Sequence, residues 1–187
     1  MSFVRDLVRQ VNLLRTNPSG FADKIAANKT YFNGKIWKHP DLKAGIKTEE
    51  GAQAYDEAIR FLKKEAKPVE ELTPSKGLFE IADDFLTEYQ KDANANVDMD
   101  EIIDRHGKFT GNFRRLIEFG GNSAEQAVIN LVVSDGDKSR SHRDALLSEG
   151  LKKIGVANGP HDVYRTCSII VACTQFENPT GSDEMYL

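Results

Sequence analysis

The chain has 187 residues, 40% of them hydrophobic and 29% charged, a balance that excludes a disordered chain and fits one ordinary domain or two very small ones. Its net charge of -4 excludes a general nucleic-acid binder, because neutralising phosphates requires a basic face. No apolar run approaches the ~18 residues of a membrane span, residue 2 is Ser rather than the Gly of a myristoylation signal, and no prenylation motif ends the chain.

Phe3, Leu7, Val11 and Leu14 recur at helical spacing, and Asn17 with Pro18 stops that helix. Asn17 is also placed to cap a second short helix that carries Phe21 and Ile25, with Pro18 in its first position. Residues 29–47 read as a long loop anchored by Tyr31, Phe32 and Trp37. A helix is expected after Thr48 as its cap, with Glu49 and Glu50 in the first turn, Lys63, Lys64 and Lys67 in the last, and Pro68 beyond. Its expected inner stripe is Ala52, Tyr55, Ile59, Leu62 and Ala66.

Ser75 caps the next helix, whose inner face should be Leu78, Ile81, Ala82, Phe85 and Tyr89. The stretch DANANVDMDE is polar and reads as irregular. Ser123 and Gln126 have the spacing of a capping box, opening a helix whose body AVINLVV is apolar on nearly all sides. A loop, SDGDKSR, and a short helix from Ser141 follow. Residues 153–157 and 163–176 read as two strands joined by a turn at NGPH. Helices first and clear strands last, with no repeat and no linker, indicate α+β layers in one domain, residues 1–176. Residues 177–187 form an acidic polar tail.

Both cysteines, Cys167 and Cys173, fall in one strand. Six residues of straight strand hold them ~20 Å apart, beyond the ~7 Å limit between Cα atoms for a bridge. Free thiols suit a reducing compartment, so a cytoplasmic location is expected if Met1 is the native start. Residues 92–103 alternate oxygen-bearing side chains, but Val97 and Ile103 stand where a calcium loop needs its Gly and its closing Glu. The four histidines form no HExxH or paired metal face, and no nucleophile elbow occurs. No metal or other cofactor is expected.

The blocks RHGKFTG, AVINLVVSDGDKSRSHRDAL and KKIGVANGPHDVY, followed by a Cys-bearing strand, resemble the CAP superfamily of cysteine-rich secretory proteins, antigen 5 and pathogenesis-related proteins. The closest variant is the one of protists and some bacteria with a DG-x-x-SR-x-HR loop. NLLRTNP, TEEGAQAYDEAIRFLKK and LTPSKGL extend the resemblance to nearly the whole chain. It implies a single-domain α-β-α sandwich with a central cleft, where many members hold a divalent cation on two histidines and two glutamates. Two alignments compete. One places His106, Glu125 and His142 in that cleft, with gaps. The other, preferred, runs without a gap over 105–143 and puts Asn94, Arg115, Gln126 and His142 at the four positions.

Under the preferred alignment the cleft is degenerate, because an Arg replaces a carboxylate. A fixed positive charge ~4 Å from a cation repels it by ~4 kcal/mol at an effective dielectric of 20. The resemblance therefore implies a non-enzymatic intracellular interaction or scaffold domain, with a protein partner such as a cytoskeletal assembly. The alternatives are a lipid or sterol binder with Tyr31, Phe32 and Trp37 along the groove, and a metal-dependent hydrolase using His106, Glu125 and His142.

Overall fold

A computed structural model describes residues 2–179 together with Gly181 and Asp183. The chain forms α1 (Phe3–Thr16), α2 (Pro18–Lys29), β1 (Phe32–Asn33), β2 (Ile36–Trp37), β3 (Ile46–Lys47), α3 (Ala52–Lys64) and β4 (Thr73–Pro74). It continues through α4 (Lys76–Lys91), α5 (Met99–His106), β5 (Lys108–Phe119), α6 (Ala124–Val133), α7 (Ser141–Leu146), β6 (Lys153–His161) and β7 (Arg165–Glu177). The main sheet has the order β4-β6-β7-β5, parallel at β4–β6 and antiparallel elsewhere. Helices flank it on both faces.

Alternation along β7 divides the interior into two cores. Ile170 and Ala172 face Leu7, Leu14, Phe21 and Val128 in the layer of α1, α2, α3 and α6. Cys167, Ile169, Val171 and Cys173 face Ile81, Phe85 and Ile102 in the layer of α4 and α5. The two cysteines are free and fully buried on that second face.

Local signals shape the helix ends. Asn17 closes α1 through its N–H to the Leu13 carbonyl and opens α2 by accepting from the Gly20 N–H at 2.9 Å. Ser75 caps α4, whose expected inner face is buried throughout. Arg15 at the end of α1 is fully buried and donates to the carbonyls of Glu70, Leu146 and Ser148, tying α1 to the end of α7.

Several expectations are corrected. Thr48 does not cap α3; its hydroxyl donates to the Lys35 carbonyl, and the helix starts after Gly51. The amides of Glu49 and Glu50 instead donate to the Asp135 carboxylate at 2.7 and 2.8 Å, so a partner distant in sequence replaces the local cap. The buried face of α3 is Ala54, Tyr55, Ala58 and Leu62, while Ala52, Ile59 and Ala66 are half-buried. The 29–47 loop contains a small meander, β1-β2-β3. The end of the polar stretch after α4, from Met99 to Glu101, belongs to α5, started by the Asp98 carboxylate on the Glu101 N–H.

RHGKFTG leads into β5, a 12-residue strand. NGPH lies inside β6; the turn comes at 162–164, where His161 Nδ1 accepts from the Val163 and Tyr164 N–H groups. The last strand runs to Glu177, one residue into the expected tail, much of which lies outside the described residues. Asp183 accepts from the Ser75 hydroxyl and the Gly77 N–H at the start of α4.

Candidate binding cavity

At the β5 edge of the sheet a cavity of about 360 Å³ opens between β5, α6 and the meander. Its apolar wall comprises Trp37, Leu42, Ile46, Tyr55, Leu131 and Val133, and β5 borders it from Ile117 to Gly120, with the Ile117 and Phe119 side chains packed on the other face of the sheet toward α4. The wall follows from local patterning. Trp37 is the inward residue of β2, only 4% exposed, and its indole N–H donates to the Asn28 carbonyl at 3.1 Å. Tyr31 packs edge-on to Trp37, and Phe32 edge-on to Tyr55, so both stand behind the wall rather than in it.

One side of the cavity is polar. Asn28 Nδ2 donates to Gln126 Oε1 at 2.8 Å, Gln126 Nε2 to Asn130 Oδ1 at 2.7 Å, and Asn130 Nδ2 to Glu118 Oε1 at 2.7 Å. The Gly121 N–H donates to the second Glu118 oxygen. Gln126 and Asn130 are one helical turn apart on α6, which is why the relay runs along its axis. Gln126 does not complete the expected capping box: Ser123 Oγ accepts its N–H, but its amide is spent on the relay.

Burial pushes the Glu118 carboxyl above the ordinary range, against the lowering effect of its Asn130 and Gly121 hydrogen bonds. Burial likewise pushes the Tyr55 phenol up to about 12. The sequence signal for Glu118 is a lone acid inside the alternating run RLIEF.

The DGDKSRSHR block closes the other end. Gly136, at φ 82°, lets the loop pass against Glu49, and its N–H donates to Glu50 Oε1 at 2.8 Å. Arg140 grips both Glu50 oxygens at 2.8 Å, and the buried Arg143 grips Glu57 at 2.9 and 2.7 Å. The Arg140 guanidinium holds the Glu50 carboxyl down to about 2. This block therefore clamps α7 and its loop onto α3.

The residues singled out from sequence divide. Gln126 and His142 both line the cavity, as does Trp37. Arg115 points to the opposite side of β5, its guanidinium over the Phe85 and Tyr89 rings at 4.9 and 5.5 Å, because strand alternation sends it away from Glu118. Asn94 is exposed on the α4–α5 connection, its N–H donating to Asp92. Of the alternative trio, His106 lies between Glu80 and Asp84, Glu125 pairs with Lys24, and His142 bonds Ser134. The three share no partner, and among the described residues no group of three or more His, Cys, Asp or Glu is placed to hold a metal ion.

Ser134 Oγ and His142 Nδ1 are 3.0 Å apart, a hydroxyl beside a base. Ser134 ends α6 in the left-handed region, at the helix terminus whose partial negative charge opposes a developing oxyanion. The pair is thus poorly placed for nucleophilic work.

The chain is a mixed α+β protein with helices flanking a sheet and a cavity at the sheet edge. No family model matches the sequence, and comparison with curated proteins finds no match. Among solved structures, an outer surface protein of Borrelia burgdorferi is 12% identical over 57% of this chain and 80% of its own, with a TM-score of 0.47. A cysteine-rich secretory protein from Staphylococcus aureus is 18% identical over 66% of this chain, with a TM-score of 0.44. The chain spans 38% of that protein's length. Both likenesses are weak and distant.

Proposed function

We propose that this chain is a non-catalytic binding domain whose cavity takes a small lipid-like molecule with an apolar body and an uncharged polar end. The supporting observation is the pairing, within one cavity, of an apolar wall with the Gln126–Asn130–Glu118 relay. An apolar pocket with a few convergent polar groups is the usual form of a small-molecule site. The apolar body would lie along Trp37, Leu42, Ile46 and Leu131, and a hydroxyl or ester at its end would meet the relay. The resemblance in sequence blocks to the CAP superfamily is compatible with this reading, whose site is the cavity itself and not a metal cleft.

Trp37 is the one tryptophan of the chain and lines the cavity, so its emission reports occupancy. Titrating the full chain with a long-chain alcohol, a fatty-acid ester and a sterol should give a saturable shift with at least one of them. Leu131→Phe, which fills the cavity, should abolish that shift while the variant stays folded. If no probe moves the emission and native mass spectrometry finds the purified protein empty, the binding reading falls. The interaction-module reading, with a cytoplasmic or cytoskeletal protein partner, would then take its place.

A further inference from the structure

We propose that the outer face of the 35–47 segment docks on the surface of an anionic lipid bilayer, from which the cavity behind it is filled. The inference rests on the binding reading above and adds where the ligand comes from.

Four large apolar side chains are exposed among the described residues: Ile36 at 41%, Ile46 at 40%, Val163 at 75% and Tyr164 at 47%. Ile36 and Ile46 stand on the meander that walls the cavity, while Val163 and Tyr164 stand on the β6–β7 turn. Ile36 neighbours Trp37 in β2, and Ile46 lines the cavity while remaining open to solvent, so it sits at the rim. Tyr164 packs at a tilt against Phe119, 5.1 Å between ring centres, on the α4 side of the sheet. Singly exposed apolar side chains are ordinary, and what singles out Ile36 and Ile46 is the charge around them.

Charge identifies the cover. The 35–47 segment carries Lys35, Lys38, Lys43 and Lys47 against Asp41 alone, in a chain whose net charge is -4. All four lysines are exposed, and among the described residues none forms an ion pair. Register in the meander sets Ile36 opposite Lys47 and Trp37 opposite Ile46, so one side presents an isoleucine with a lysine while the other seats the indole in the cavity. Ile36 with Ile46 at the rim, framed by lysines of which, among the described residues, Lys35 alone donates to a carbonyl, that of Glu49, matches a surface that offers negative headgroups above hydrocarbon. An acidic protein would meet the lysines but would not explain why the apolar tips border a cavity suited to a lipid-like molecule.

The experiment is flotation of the full chain with vesicles of phosphatidylcholine alone and with added phosphatidylserine. Binding should require the anionic lipid and weaken as salt rises, since the Debye length shortens to about 8 Å at physiological ionic strength. Lys38→Gln with Lys43→Gln should lower partitioning about thirtyfold, at the usual contribution of each basic residue near such a surface. Ile36→Ser should lower it several-fold. Both variants should still take up a dispersed ligand from solution, read by Trp37 emission. Equal flotation with neutral and anionic vesicles, or flotation unchanged by the lysine variant, overturns the proposal while normal uptake leaves the cavity reading standing. Flotation without uptake by any probe would instead remove the cavity reading and leave a bare membrane-docking face.

Discussion

Asn130 donates its side-chain amide to Glu118 Oε1 at 2.7 Å, joining α6 to the edge strand β5 through a carboxyl that is 4% exposed. Desolvation is the largest influence on that carboxyl and raises its pKa in the folded state. A raised folded pKa means that its stabilising contribution is complete below the unfolded value and is lost as pH rises through the folded one. Glu118→Gln, which mimics the protonated form, should therefore be more stable than the wild type at neutral pH and should lose less stability between mildly acidic and neutral conditions. Urea unfolding across that range checks it; parallel pH profiles for the two proteins would refute it.

Glu50 shows the opposite dependence. Arg140 holds its folded pKa down to about 2, from an ordinary 4.5. The contribution of this pair is present above 4.5 and is lost as pH falls toward about 2. Glu50→Gln should weaken the protein at neutral pH and flatten its acid limb, measured as the unfolding midpoint against pH. An acid limb as steep as that of the wild type would show that other carboxylates carry it.

Gly155 on β6 is where α4 comes closest to the sheet. A Cβ there would run into the backbone of Leu78 and Phe79, which cannot rotate away as a side-chain tip would. Gly155→Ala is expected to destabilise by at least about 3 kcal/mol, the upper end of overpacking effects. Gly150→Ala, where a Cβ meets nothing within 4 Å but φ is 75°, is the comparison and should lose far less. Chemical denaturation of the two variants distinguishes steric blockage from backbone strain.

Cys167 and Cys173 are fully buried, and burial pushes both thiols up to about 12. Neither is expected to react with a water-soluble disulfide reagent in the native protein at neutral pH, and both should react once the chain is unfolded. Prompt labelling of either thiol without denaturant would show that the α4 layer opens readily.

Much of the helical framework was legible locally. Asn17, Ser75 and Ser123 each act within three residues of the helix they start, so spacing alone revealed them. The start of α3 was not legible, because Asp135 supplies its amide acceptor from across the fold. Strand β5 escaped notice because its first half, Lys108 to Asn112, is mostly exposed and carries a bulge, leaving no clean alternation to read. Trp37 and Gln126 both line the cavity, but the relay that Gln126 joins and Trp37 borders through Asn28 has no signal in the sequence.

The caps at Asn17, Ser75 and Ser123, the two cysteines' inability to pair with each other and the burial of the α4 face are consequences of local spacing, and the sequence by itself determined them. The relay from Asn28 to Glu118, the turning of Arg115 to the opposite face and the clamp of Arg140 on Glu50 were decided only by tertiary structure. Each depends on which residues distant in the chain share one buried volume. Hydrogen bonds and charges acquire their strength there from the exclusion of water, a property of the assembled fold rather than of any segment.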